Sequence, residues 1–269
     1  MFLSDVVIVL CRPSEPGNVG AVCRAMKNMG LARLRLVAPS FGAPASPSGA
    51  SWEETLLART VHAEQVWEEA KTFDTLEAAV ADLSLVIGTT RRRGHRRKAV
   101  TQTPEECAAF LQTYPGPAAL VFGNERTGLE AEELNLCSLA SHIPADNGFP
   151  SLNLSHAVQI YAYQLFRALK PGPGAPGSAP VAGLEPASVA GSWTPLNRLQ
   201  LDALVDSTAN SLASLGFYQK KGREEQERFL RDVFARAGLT LNEGRYLGNI
   251  FTKAANLARK RIEDKPVRH

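Results

Sequence analysis

Leu120-Val121-Phe122-Gly123-Asn124-Glu125-Arg126-Thr127-Gly128, and further on Phe149-Pro150-Ser151-Leu152-Asn153-Leu154-Ser155, form the stretch on which the fold turns. Ala118 to Phe122 and Leu139 to Ile143 are short apolar runs, the pattern of buried strands. Each loop therefore leaves a strand end, where α/β sheets hold their ligands. Beyond the second loop, Leu154, Ala157, Val158, Tyr161, Ala162, Leu165, Phe166 and Leu169 recur with the three-and-four spacing of a long helix packed on a core. Ser151 and Asn153 stand at its start, where two roles are open. Such residues commonly cap a helix by accepting a backbone N–H bond; free amides and polar side chains at a helix start also bind polar ligands. Glu125 lies between two glycines beyond a strand, where burial demands a partner for its charge.

The chain has 269 residues, 44% hydrophobic and 21% charged, which is the composition of a soluble globular protein large enough for one substantial core or two modest ones. It contains no apolar run of membrane-spanning length, and Met1 to Asp5 has no basic segment ahead of an apolar one, so a cytoplasmic location is expected. Cys11, Cys23, Cys107 and Cys137 are scattered through apolar patterns without metal-ligand spacing. Buried free thiols are expected, and no metal site. The net charge of +3 is unevenly placed: residues 194–269 hold 14 Lys and Arg against 9 Asp and Glu, whereas residues 1–169 hold 15 against 17. That asymmetry favours a polyanionic partner for the C-terminal part.

The remaining elements follow in order. Val6 to Leu10 reads as a strand, Arg12 to Gly17 as a turn, and about Asn18 to Met29 as a helix with Val19, Val22, Cys23 and Met26 inward; Leu34 to Val37 completes a βαβ unit. Trp52 to Ala70 is helical in composition with a break near Thr60 to His62. Thr72 and Phe73 suit a short strand, and Asp74 with Glu77 matches a capping signature. Leu85 to Ile87 is a further strand ending at Gly88. Arg91-Arg92-Arg93-Gly94-His95-Arg96-Arg97-Lys98 then places six cations and a histidine in eight positions. Such runs are usually solvated; here the run leaves the same strand ends as the Glu125 loop, so it is expected to meet RNA or phosphate. Pro104 opens another helix. Five or six strands alternating with helices indicate an α/β domain, a mainly parallel sheet with helices on both faces, over residues 1–169. Residues 170–193 form a Pro/Gly/Ala linker, and residues 194–269 a small basic all-α domain. Its three helices are expected over Pro195 to about Leu215, Glu224 to Ala237 with Phe229, Leu230, Val233 and Phe234 inward, and a segment opened by Thr240 and Glu243 whose stripe is Leu247, Ile250, Phe251, Ala254 and Leu257. Gripping RNA and supporting a dimer are both open to it.

Three segments together resemble a family. Pro16-Gly17-Asn18-Val19-Gly20 continuing to Arg24-Ala25-Met26-Lys27-Asn28-Met29-Gly30, Leu120 to Leu129, and Ser151-Leu152-Asn153-Leu154-Ser155 are similar, in order and spacing, to the three motifs of SPOUT-class (TrmH-like) RNA ribose 2′-O-methyltransferases. The C-terminal helices, with Leu215-Gly216-Phe217-Tyr218, look like those of the TrmJ branch, which acts on tRNA position 32. The resemblance implies a C-terminal trefoil knot in the α/β domain, S-adenosylmethionine as methyl donor, and a homodimer with the site at the interface. Carried over by motif, Arg24, Asn18, Glu125, Ser151 and Asn153 become the catalytic candidates. Gly88, Thr89, Thr90, Gly123, Ile143, Ser151 and Leu152 become the cofactor-binding ones, with Arg91, Arg92, Arg93, Arg96 and Arg97 towards RNA. A guanidinium is effectively always protonated, so Arg24 is expected to hold substrate phosphate and polarise the ribose hydroxyl rather than act as base. Alternatives are a ribosomal RNA 2′-O-methyltransferase and a non-catalytic RNA-binding protein of the same fold.

Overall fold

Strand β1 (Val6–Cys11) is apolar throughout because it is buried on both sides: Val6, Ile8 and Leu10 enter one core, Val7, Val9 and Cys11 another. The computed structural model describes residues 1–41, 51–91, 101–146, 148, 150–169, 194–218 and 222–263. The expected linker 170–193 lies outside them, as does residues 92–100, and with it Arg92, Arg93, Arg96 and Arg97.

Chain order runs β1, α1 (Pro16–Asn28), β2 (Arg33–Val37), α2 (Trp52–Thr60), α3 (Glu64–Glu68), β3 (Lys71–Phe73), α4 (Leu76–Val80), β4 (Leu85–Thr89), β5 (Thr101–Gln102), α5 (Pro104–Thr113), β6 (Ala118–Phe122), α6 (Ala131–Leu136), β7 (Leu139–Ser141) and α7 (Leu154–Leu169). The strands form one parallel seven-stranded sheet ordered β3-β2-β1-β6-β4-β7-β5. Helices α1, α2, α3, α5 and α7 cover one face through Val22, Met26, Leu56, Val66, Leu111 and Val158; α4 and α6 cover the other through Leu76, Ala79 and Leu134. The chain winds outward from β1 to β3, then crosses to β4 on the far side, so its direction reverses beside β1 and β6. In a parallel sheet that reversal opens a crevice at the strands' carboxyl ends.

The structure moves several boundaries. Helix α1 begins at Pro16, whose ring sets the first helical φ and whose missing N–H costs nothing there. Thr75, not Asp74, caps α4 by accepting from Ala78 N at 3.3 Å. The sheet gains an edge pair at β5, too short for any periodicity to announce. Val61 and His62 both take left-handed φ in the expected break between α2 and α3. All four cysteines are buried and free, and burial pushes the thiols of Cys23 and Cys107 up to about 12, which leaves them unreactive.

Helices α8 (Arg198–Ser214), α9 (Arg223–Ala237) and α10 (Leu241–Glu263) share a core of Leu196, Leu201, Leu204, Val205, Phe234 and Ala235. Four expected core residues lie elsewhere: Phe229, Ile250 and Leu257 are 60%, 48% and 64% exposed, and Ala254 is exposed too. Three helices can cover only one side of each amphipathic stripe, and these stripes are wider than the contact. The bundle rests on the amino-terminal ends of β4, β6 and β7: Tyr114 Oη donates to the Ala235 carbonyl at 3.1 Å, Pro195 packs on Gly116, and Arg198 donates to the Leu136 carbonyl. Among the described residues no helix is long and apolar enough to cross a membrane.

Candidate active site

At the carboxyl ends of β4 and β6 and just beyond β7 lies a cavity of about 160 Å³, open to solvent, walled by three loops. Its floor is apolar: the rings of Phe122 and Tyr161 meet edge to face at 5.6 Å, and Tyr161 Oη donates to Ser141 Oγ at 2.8 Å. Ser141 Oγ in turn donates to the Gln102 carbonyl, tying α7 to the β7 and β5 edge. Burial raises the Tyr161 phenol well above its ordinary value, so it remains a hydrogen-bond donor.

The loop after β6 doubles back on itself, with a bridge between Asn124 and Gly128. A Cβ at Gly123 would stand 2.1 Å from both Gly128 C and Leu129 N, so only glycine fits there. Asn124 Oδ1 accepts from Arg126 N at 2.9 Å and Thr127 N at 3.3 Å, while its Nδ2 donates to the Arg12 carbonyl at 2.7 Å. Arg12, at φ +52°, completes the clamp: its guanidinium reaches both Glu133 oxygens at 2.9 and 2.8 Å and the Gly128 carbonyl at 3.1 Å. Arg12 and Asn124 had no role in the sequence reading. A lone arginine straight after a buried strand is the only signal, and its partner lies 121 positions away.

Glu125 is where the three motifs meet. Its Oε2 accepts from Ser14 N and Ser14 Oγ, both at 3.0 Å, and its Oε1 accepts from Glu15 N at 3.3 Å and Asn18 Nδ2 at 3.1 Å. Asn18 Oδ1 accepts from Asn153 Nδ2 at 2.9 Å. Asn153 Oδ1 accepts from Ser155 N at 2.9 Å, so it caps α7 and joins the polar string at once; its two roles are not alternatives. Partial burial raises the Glu125 carboxyl, but the bonds from Ser14 and Asn18 outweigh it and hold the group below its ordinary value. The charge anticipated between two glycines thus has four donors.

Of the other candidates, Thr89, Thr90, Arg91, Gly123, Ile143, Ser151 and Leu152 all line the cavity. Gly88 does not: a Cβ there would come within 2.7 Å of Cys137 Sγ and 2.8 Å of Leu134 Cδ1, so its glycine serves the packing of α6 on β4. Arg24 is exposed on α1 and is not part of the cavity wall of its own chain.

A parallel α/β sheet with a three-loop cavity at its carboxyl ends, stitched by a Glu-Asn-Asn string, matches a known class. Residues 5–163 fit the description of the SpoU rRNA Methylase family, and the chain belongs to that family. Among its relatives, the tRNA (cytidine/uridine/adenosine-2′-O-)-methyltransferase TrmJ of Pseudomonas aeruginosa is 33% identical over 97% of this chain and 100% of its own. An uncharacterized tRNA/rRNA methyltransferase of Haemophilus influenzae is 36% identical over 97% of each. The crystal structure of TrmJ from Z. mobilis superposes with a TM-score of 0.68 at 29% identity, covering 92% of this chain and 98% of that one.

Proposed function

We propose that the protein transfers a methyl group from S-adenosylmethionine to a ribose 2′-hydroxyl of tRNA, at nucleotide 32 of the anticodon loop. The observation that carries the reading is the Glu125-Asn18-Asn153 string, which ties the three motifs together beside the cavity that Glu125 lines. The cavity suits the donor in character, with an aromatic floor and with Thr89, Thr90 and the backbone of Gly123 in its wall. When bound, the donor supplies an electrophilic methyl on a sulfonium. Thr89, Thr90, Gly123, Ile143, Ser151 and Leu152 would enclose it, and the rigid wall would fix the line between methyl and acceptor oxygen. Alignment of that kind is worth several powers of ten. Glu125 sets the position of α1, and hence the line along which Arg24 is presented.

Arg24 stands outside its own cavity, which fits a homodimer in which it reaches the partner's bound RNA. There it would hold phosphate and polarise the 2′-hydroxyl towards the donor's methyl, the hydroxyl proton passing to solvent. The α/β domain of residues 1–169 carries the knotted cofactor site in this reading, and the basic helices of residues 194–269 grip RNA. Because those helices sit at the opposite end of the sheet from the cavity, the RNA they hold must span the domain or cross to the partner. A second reading, methylation of ribosomal RNA, draws on the family's description.

Three expected results test this. Calorimetry should show saturable binding of S-adenosylmethionine at one site per chain, and unmodified tRNA should accept its methyl while ribosomal RNA does not. Gly123→Ala should weaken donor binding at least about tenfold with an unchanged far-UV spectrum, since the loop must open to admit the methyl group. Wild-type donor affinity in that variant would show that the loop does not shape the cofactor site.

A further inference from the structure

The loop that Arg12 and Asn124 clamp so tightly leaves one side chain unused. Arg126 has its backbone N–H held by Asn124 Oδ1, and the next residue is held twice, Thr127 N donating to Asn124 Oδ1 and Thr127 Oγ1 accepting from Arg12 Nη1. Its guanidinium, by contrast, is exposed, lines the cavity, and among the described residues meets no carboxylate. Arg12, Arg35, Arg198, Arg223 and Arg231 all do. Nor does Glu125 beside it neutralise it, because both carboxylate oxygens are taken by donors at the start of α1. Arg91 is likewise exposed at the wall. A rigid backbone that presents a free guanidinium at the mouth of a cavity is built to take an anion in a fixed place, and a planar fork of donors fits a phosphate.

We infer that Arg126 is a specificity-determining RNA contact: it binds the phosphate next to the acceptor ribose and sets which nucleotide enters the cavity. The inference rests on the methyltransferase reading above. Since a carboxylate on the methyl donor is the other anion within the same chemistry, the test separates the two. In the full-length protein, Arg126→Gln is expected to raise KM for unmodified tRNA at least about tenfold, and to lower the slope of log KM against log salt by about one. Its dissociation constant for S-adenosylmethionine should stay within about twofold of wild type. Arg126→Lys, which keeps the charge but not the fork, should recover only part of the loss. Weakened donor binding with an unchanged KM for tRNA would overturn the inference and assign the guanidinium to the donor's carboxylate. Unchanged values for both would overturn it outright. A wild-type protein that methylates no RNA would instead remove the reading on which it rests.

Discussion

Glu125→Ala is expected to abolish methyl transfer, with a loss of at least about a thousandfold, and to weaken donor binding as well. Removing the carboxylate leaves Ser14 N, Ser14 Oγ, Glu15 N and Asn18 Nδ2 without their acceptor at a half-buried junction. Each bond to a charged group contributes about 1.5–3 kcal/mol when shielded, less in this partly exposed setting. Asn18 would then be free to rotate, releasing Asn153 and the start of α7. The sheet should survive, because β1 and β6 pair directly and are buried without this string. A protein that still folds, with a melting temperature lowered by about 5–10 °C and its activity lost, is therefore the expected pair of readings. The same carboxylate sets a pH dependence. Its folded value lies below the unfolded one, so its contribution is complete above the unfolded value and fades as pH falls through the folded one. Donor binding should accordingly be insensitive to this group at neutral pH and weaken only in acid, below the ordinary carboxylate range. Loss of binding near neutrality would point to a different group.

Arg24→Ala should show the opposite signature: turnover reduced at least about a thousandfold, with donor affinity unchanged. The side chain is exposed and outside the cavity of its own chain, so nothing that encloses the donor depends on it. If Arg24 acts across a dimer interface, two inactive variants should rescue each other. Mixing Arg24→Ala with Glu125→Ala under conditions of subunit exchange leaves one mixed site with both residues intact, so about one quarter of wild-type activity should return. Persistent inactivity of the mixture, with exchange demonstrated, would place Arg24 in the cavity of its own chain. Loss of donor binding in Arg24→Ala alone would show that the residue is misplaced.

The parallel α/β sheet and its loops at strand ends were readable because β1 and β6 are apolar at every position and α7 carries an uninterrupted apolar stripe. Glu125 was readable as a charge in need of a partner; the partners were not, since Ser14 and Asn18 lie more than a hundred positions away. Arg12 was passed over as a turn residue for the same reason. Gly88 shows the converse limit: a glycine at a strand end beside a cavity invites a ligand role, yet the missing Cβ makes room for Cys137. In the helical bundle the apolar stripes of α9 and α10 were legible, but not how much of each would be covered. Phe229, Ile250 and Leu257 remain outside because coverage depends on where neighbouring helices cross, which periodicity does not encode.

The decisive assay is incubation of the purified protein with methyl-labelled S-adenosylmethionine and unmodified bulk tRNA, followed by nuclease mapping of the label. The expected result is label on a ribose 2′-oxygen at nucleotide 32, absent when Arg24→Ala replaces the wild type. Donor binding without transfer to tRNA, or label found only in ribosomal RNA, would contradict it.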